Sequence, residues 1–332
     1  RVKPPYFWSA GLDPRSRAAA PLTRALLTPA SAVWASVTAR RMARTDGVML
    51  PVPVICIGNL TVGGSGKTPV ARTIRDHLVA DGRRAATLSR GYGGKLKAPT
   101  KVSPHHHSAE DVGDEPLLLA QSGEAWIAAD RAAGGQAMVA DGVECIILDD
   151  GHQNPSLKKT ASIIVIDSEA PFGNGFVVPK GPLREPVPAG LARATAVILM
   201  GAASPPPELS RFDGPLVRAE LVRTNPLPDS PLVAFAGIGR PEKFFDSLRR
   251  DGADLADTVG YADHHRYRPS DLSFLRQLAR DHDAQLVTTA KDMMRLPVKD
   301  RTGIVSLDVS AVFQDISALS ALLDLSAQET PL

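Results

Sequence analysis

Cysteine is almost missing from this 332-residue chain, which holds two, Cys56 and Cys145. Both lie in apolar runs, where a thiol behaves as a small hydrophobe. That excludes a disulfide framework or a cysteine-based metal site and fits a reducing compartment. Long hydrophobic runs are missing as well. No stretch of about 18 uninterrupted apolar residues occurs, so no segment is expected to span a bilayer. The start lacks the ordered basic, apolar and cleavage regions of a signal peptide, and the expected location is the cytosol or the cytosolic side of a membrane. Nor is there an excess of charge of one sign. The 38 basic and 36 acidic residues leave a net charge of +2, too near neutral for a general nucleic-acid binder, so no nucleic-acid partner is expected. With 43% hydrophobic and 22% charged residues, disorder is excluded. The length suits one large or two ordinary domains. No internal repeat or informative low-complexity tract is found.

What is present is unevenly spread. Residues 1–45 hold Arg1, Lys3, Arg15, Arg17, Arg24, Arg40, Arg41 and Arg44 against the single acid Asp13, a balance of +7 that leaves −5 for the rest of the chain. The N-terminus is therefore expected to face something anionic. Within residues 21–44, Leu22, Leu26, Val33 and Val37 fall on one helical stripe with Leu27 and Trp34 beside it, while Arg24, Ser31 and Thr38 lie elsewhere on the wheel. Pro29 is expected to break or kink this helix. A basic amphipathic helix after Pro4-Pro5-Tyr6-Phe7-Trp8 suits a membrane interface with anionic headgroups. Packing against its own domain is the other reading of the same stripe.

From residue 52 short Val- and Ile-rich runs alternate with helical stretches. Strands are expected at 52–57, 85–88, 144–148, 162–166 and 196–200, which implies a parallel sheet covered by helices. Pro205-Pro206-Pro207, a possible strand at 215–223 and the proline-spaced 225–231 segment then mark a boundary. A second series follows, with strands at 232–237, 285–289 and 303–308 and helices near 241–250, 270–282 and 314–325. The expected fold is α/β: a P-loop NTPase-like parallel sheet flanked by helices over 46–224, with the 1–45 segment part of that domain, and a smaller α/β domain over 225–332.

The strongest chemical signal is the segment from Val54 to Thr68, an apolar strand running through Gly58-Asn59-Leu60-Thr61-Val62-Gly63-Gly64-Ser65-Gly66-Lys67-Thr68 into a helix. A phosphate-binding loop needs this context. Its backbone N–H groups, from Thr61 through Gly66, turn toward phosphate oxygens, the helix N-terminus adds partial positive charge, Lys67 reaches the β- and γ-phosphates, and the Thr68 hydroxyl binds Mg²⁺. The strict pattern wants glycine six positions before the lysine, where Thr61 stands here; Gly63, Gly64 and Gly66 supply the flexibility.

A second strand, Glu144-Cys145-Ile146-Ile147-Leu148, ends in Asp149-Asp150, the arrangement that in P-loop enzymes brings a carboxylate to the metal. A guanine-nucleotide switch would normally carry Asn-Lys-x-Asp, and Ala290-Lys291-Asp292 has the wrong order. A small-molecule or lipid kinase needs in addition a carboxylate for the attacking hydroxyl and cations for the substrate's anionic groups. Asp114-Glu115, Asp149-Asp150, His264-His265, Arg90, Arg184 and Lys291 are candidates. A P-loop NTPase acting as a switch or chaperone on a protein partner is the competing reading. His105-His106-His107 has no matching ligand cluster and reads as a solvated loop.

Taken in order, the P-loop with its following Pro69, Ser89-Arg90-Gly91-Tyr92-Gly93-Gly94, Gly113-Asp114-Glu115-Pro116, Leu148-Asp149-Asp150-Gly151-His152-Gln153, the 181–186 segment around Arg184-Glu185, the 236–245 segment, the 262–267 segment holding His264-His265, and Thr288-Thr289-Ala290-Lys291-Asp292 resemble the tetraacyldisaccharide 4′-kinase family over essentially the whole chain. The resemblance implies transfer of the ATP γ-phosphoryl group to the 4′-hydroxyl of a tetraacylated glucosamine disaccharide 1-phosphate, a lipid A precursor, at the cytoplasmic face of the bacterial inner membrane. It implies ATP and Mg²⁺ as cofactors, an anionic membrane surface as partner and no obligate protein partner. Asp114 becomes the catalytic aspartate and His264 its partner, assembled only when the two domains approach. Asp149, Asp150 and Glu115 are expected to position Mg²⁺ with Thr68, and Arg90, Arg184 and Glu185 to line the substrate site. The family usually has an aromatic residue where His152 stands; next to two carboxylates it is either partly protonated near neutral pH or a planar filler.

Overall fold

The structure, a computed structural model, describes residues 5–13, 16–43, 46–315, 317–318, 320–321 and 323. Arg1, Lys3, Arg15 and Arg44 of the basic segment lie outside the described residues. So does part of the helix expected over 314–325, of which 317–318, 320–321 and 323 are helical.

In chain order the helices are α1 (Pro21–Ala43), α2 (Lys67–Ala80), α3 (Ala109–Val112), α4 (Asp114–Ala120), α5 (Arg131–Ala140), α6 (Val187–Leu191), α7 (Pro241–Arg250), α8 (Pro269–Asp281) and α9 (Ala290–Arg295). The strands are β1 (Val54–Gly58), β2 (Ala85–Ser89), β3 (Thr100–Lys101), β4 (Ala125–Ile127), β5 (Cys145–Asp149), β6 (Ala161–Asp167), β7 (Ala196–Met200), β8 (Leu216–Arg223), β9 (Leu232–Ala236), β10 (Leu255–Gly260), β11 (Gln285–Thr289), β12 (Ile304–Leu307) and β13 (Val309–Phe313).

Nine strands form the large sheet, in the order β13-β8-β7-β6-β1-β5-β2-β4-β3. Its interior is parallel, and only the edge pairs β13–β8 and β3–β4 are antiparallel. Strands β1, β5, β6 and β7 are buried at every position, which is why they read as continuous apolar runs rather than as alternations. Ile55, Ile57, Ile147, Ile163 and Val165 pack under α2 on one face, while Cys56, Leu88, Ile146 and Leu148 pack toward Met138 of α5 on the other. The small sheet is fully parallel in the order β10-β9-β11-β12. Phe235, Leu272 and Leu275 fill one of its faces, and Phe245 and Leu248 fill the other.

The expected domain boundary needs correction at its far end. After β12 the chain returns to the large sheet as β13, antiparallel to β8, so the smaller unit closes near Leu307 and not at 332. An alternating Val309-Ser310-Ala311-Val312-Phe313 directly after another strand carried no boundary signal. The expected break in α1 is also absent: it is one helix of 23 residues with Pro29 inside it. Loss of a single backbone hydrogen bond at Pro29 is tolerated because α1 is pinned from the side. Ser31 Oγ donates to the Val177 carbonyl at 2.7 Å and Trp34 Nε1 to the Arg184 carbonyl at 3.1 Å. No helix among the described residues is long and apolar enough to cross a membrane.

Candidate active site

The phosphate loop leaves β1 at Gly58, and α2 starts at Lys67. Gly66 caps the helix with φ of 89°, a left-handed conformation that any side chain would strain. The loop is braced from outside by the 177–184 segment, where Val62 N–H donates to the Pro182 carbonyl and Arg184 N–H to the Leu60 carbonyl, each at 2.8 Å. Beneath it, Thr68 Oγ1 donates to Asp149 Oδ2 at 3.3 Å, which brings together the two residues that the sequence paired as metal ligands.

The neighbouring carboxylates divide into two kinds. Asp149 Oδ1 is buried without a hydrogen-bond partner, and burial, with the charges of Glu115 and Asp150, pushes its carboxyl up to about 7. A buried carboxylate so poorly compensated suits a cation. Asp150 is already neutralised: the Arg184 guanidinium grips it at 2.9 and 3.0 Å, and Lys67 Nζ stands 3.8 Å away. Burial would raise the Asp150 carboxyl, but Lys67 and Arg184 override it and bring it down to about 2. Its φ of 56° is left-handed, as is that of His264, and such strain at non-glycine residues tends to gather at functional sites.

Glu115 lies near Asp149, close enough to act on its charge, and its Oε1 accepts Lys291 Nζ at 2.7 Å, an ammonium that holds its carboxyl below the usual range. Glu185 is only 3% exposed, and its oxygens accept Arg193 at 2.7 Å and Gln153 at 2.9 Å. Arg90 is exposed at the end of β2; burial, with the charge of Arg90 nearby, lowers the guanidinium of Arg131. His152, 1% exposed, hydrogen-bonds Ser162 Oγ at 2.8 Å and the Gly190 carbonyl at 3.0 Å. Burial lowers it to about 4, which decides for the neutral, planar group and against partial protonation. Among the described residues no group of three or more His, Cys, Asp and Glu is placed to hold a metal ion by itself.

The small unit completes the site. Gly113, with φ of 93°, turns the chain so that Asp114 opens α4. Asp114 is 6% exposed, and its Oδ2 accepts His264 Nδ1 at 3.0 Å across the gap between the units. Burial would raise the Asp114 carboxyl, but the His264 hydrogen bond and the charges of Lys291 and Arg295 outweigh it and hold it well below the usual range. The ring of Tyr92, from the second glycine-rich segment, meets His264 edge-on at 5.7 Å. The first loop of the small unit also comes close to the phosphate loop, since a Cβ placed on Gly239 would lie 3.5 Å from Gly64 N.

Residues 23–328 match the family model described as tetraacyldisaccharide-1-P 4′-kinase. The chain belongs to this family. It is 57% identical over 322 residues to the tetraacyldisaccharide 4′-kinase of Hyphomonas neptunium, covering 97% of each chain. It is 49% identical over 329 residues to that of Maricaulis maris, covering 97% of this chain and 96% of the relative. Its fold is similar to the crystal structure of LpxK from Aquifex aeolicus in complex with ATP, with a TM-score of 0.71 and 25% identity over 92% of this chain and 99% of the other. In this member of the 4′-kinase family the phosphate loop lies beside the Asp149 strand, and Glu115, next to Asp114, is near enough to act on the charge of Asp149. Sequence reading missed Arg295 and the Lys291–Glu115 pairing; their only signal was the four-residue spacing of two cations after Thr289.

Proposed function

We infer that this protein transfers the γ-phosphoryl group of ATP to the 4′-hydroxyl of a tetraacyl disaccharide 1-phosphate. The observation that carries the reading is the Asp114–His264 hydrogen bond formed between the two units, beside a phosphate loop whose Lys67 is near enough to act on the charge of Glu115. Backbone N–H groups of the 61–66 loop, other than that of Val62, which is taken by the Pro182 carbonyl, and the ammonium of Lys67 cradle the phosphates. Thr68 and Asp149 are the residues that fit Mg²⁺, with Asp150 beside them held by Arg184. The ion would offset charge on the phosphate oxygens. Asp114 accepts the proton of the 4′-hydroxyl, and His264 orients it. Close approach of the small unit to the phosphate loop excludes water that would otherwise hydrolyse ATP.

The acceptor is a lipid, and α1 supports docking at an anionic membrane surface, the cytoplasmic face of the inner membrane. Leu22, Leu26, Val33 and Val37 are 81%, 81%, 63% and 57% exposed, on the side of the helix opposite Ser31, which faces the body. Immersing each such side chain in an apolar phase is worth about 1.5–3 kcal/mol, and Arg40 and Arg41 close the helix with cations suited to anionic headgroups.

The test is transfer of labelled γ-phosphate from ATP to the tetraacyl disaccharide 1-phosphate in detergent micelles, with Lys67→Ala as control. Labelled lipid that is lost in the control is expected. ATP hydrolysis without labelled lipid would overturn the reading in favour of a nucleotide switch.

A further inference from the structure

Asp114 receives more N–H contacts than its pairing with His264 requires, and the surplus comes from Arg295, a residue outside every motif of the sequence. Arg295 Nε donates to Asp114 Oδ2 at 2.6 Å, its Nη2 lies 2.5 Å from the same oxygen without a hydrogen bond, and His264 Nδ1 meets that oxygen at 3.0 Å. Asp114 Oδ1 accepts only the Glu115 N–H, at 3.0 Å.

The other end of the guanidinium is rooted in the small unit. Arg295 Nη1 donates to Asp292 Oδ1 at 2.7 Å and to the Gly237 carbonyl at 2.6 Å. Asp292 is fully buried and fixed by the hydroxyls of Thr289 at 2.7 Å and Tyr267 at 2.8 Å and by the Gly237 N–H at 3.0 Å. The Gly237 carbonyl also accepts the backbone N–H of His264 at 3.0 Å. Both groups by which the small unit grips Asp114 therefore hang on one carbonyl.

A guanidinium holds its five N–H groups in one plane, so anchoring Nη1 fixes where Nε and Nη2 point. The two donors, Arg295 Nε and His264 Nδ1, leave Asp114 Oδ2 no free lone pair, whereas Oδ1 keeps one. We propose that Arg295 is a positioning residue for phosphoryl transfer: rooted in the small unit, it clamps Asp114 Oδ2 and so leaves Oδ1 as the oxygen presented to the acceptor hydroxyl. The proposal rests on the reading of Asp114 as proton acceptor. In that step the acceptor O–H breaks as the proton passes to Oδ1, the oxygen's electron pair forms the bond to the γ-phosphorus, and the bridging P–O bond breaks to leave ADP. A single imidazole contact leaves a carboxylate free to pivot; a second, charge-assisted contact to the same oxygen from an anchored guanidinium limits that freedom.

The experiment is steady-state transfer with the full chain in neutral detergent micelles, comparing Arg295→Met and Arg295→Lys in the native background and in Asp114→Asn. Losing the alignment of one group is expected to lower kcat about 100-fold in Arg295→Met, with the KM for ATP changed by less than about threefold. Arg295→Lys keeps the charge without the fork and is expected to recover about tenfold of that loss. In Asp114→Asn, either change is expected to alter kcat by less than about twofold, because residues acting as one unit are not additive. Equal losses in both backgrounds, or native kcat in Arg295→Met, would overturn the proposal. If thermal unfolding shows that Arg295→Met does not fold, Arg295→Lys carries the same comparison alone. Near-native kcat in Asp114→Asn itself would overturn the acceptor reading, an outcome separate from the result at Arg295.

Discussion

At Asp114, charge and orientation are set by groups from two different parts of the chain, and removing the carboxylate leaves the phosphate loop intact. Asp114→Ala is expected to lower kcat by about 10²–10⁴, the range for a positioned proton acceptor, while ATP affinity stays close to native; steady-state kinetics with a nucleotide-binding titration check both. His152 behaves differently, because its neutral form belongs to the fold. Its folded value of about 4 lies below the ordinary 6.5, so the unfolded chain takes up the proton first as pH falls. Stability is then fully present above about 6.5 and falls between there and about 4, by up to roughly 3 kcal/mol. His152→Phe is expected to flatten that part of the stability profile, measured by urea unfolding from pH 4 to 7.5. The motif residues Lys67, Thr68, Asp149, Asp114 and His264 were legible in the sequence because each belongs to a short pattern. Arg295 and the true partner of Glu115 were not, since their meaning comes from contacts more than 170 residues away in the chain.

Among the described residues, α1 leaves a whole apolar stripe exposed, Leu22, Leu26, Val33 and Val37. Its body-facing side is polar: Ser31 and Trp34 hydrogen-bond to the 177–184 segment, Arg24 stacks on Phe176, and Thr28 accepts Lys180 Nζ at 3.0 Å. Replacing Leu22, Leu26, Val33 and Val37 together by Gln is therefore expected to leave the unfolding temperature within about 2 °C, as exposed substitutions do. The same change is expected to lower co-sedimentation with anionic vesicles at least tenfold, since four apolar anchors are lost. Unchanged sedimentation would remove α1 from the docking surface. The sequence made the stripe visible but left its direction open, because the 3.6-residue period is the same for a core and for a membrane face. Strands β1, β5, β6 and β7 were legible as apolar runs. By contrast β3 has two residues, β4 has three, and β10 is half-buried throughout, so none of these carried a run to read.

For the whole molecule, the ionic contacts that fasten the small unit to the large one include Arg295 to Asp114, Lys291 to Glu115, Arg223 to Asp251, and Arg240 with Lys243 to Asp167. The last is lopsided, a buried acid facing two half-exposed cations. Removing both cations (Arg240→Ala with Lys243→Ala) strands a buried charge and is expected to cost about 3–5 kcal/mol. Asp167→Asn leaves the cations in water and is expected to cost about 1 kcal/mol or less. Equal costs in urea unfolding would show that Asp167 is hydrated and the contact superficial. The two chain crossings between the units are themselves tied together, because Asn225 Nδ2 donates to the Ser306 carbonyl at 2.8 Å and Asp308 N–H donates to Asn225 Oδ1 at 3.0 Å. The small unit thus meets the large one at this pinned crossing, at its ionic contacts, at Tyr92 against His264, and where Met294 packs on the core around α4.

The return of β13 to the large sheet also sets an order on biosynthesis. The ribosome delivers β8, then the entire small unit, and only afterwards the strand that pairs with β8. Throughout that interval β8 presents an open edge bearing Leu216, Leu221 and Val222, which are partly exposed even in the finished fold. An open strand edge with apolar side chains is a template for pairing with other chains, so in the nascent protein the half-made nucleotide-binding unit is the part at risk, and shielding it falls to whatever attends the emerging chain.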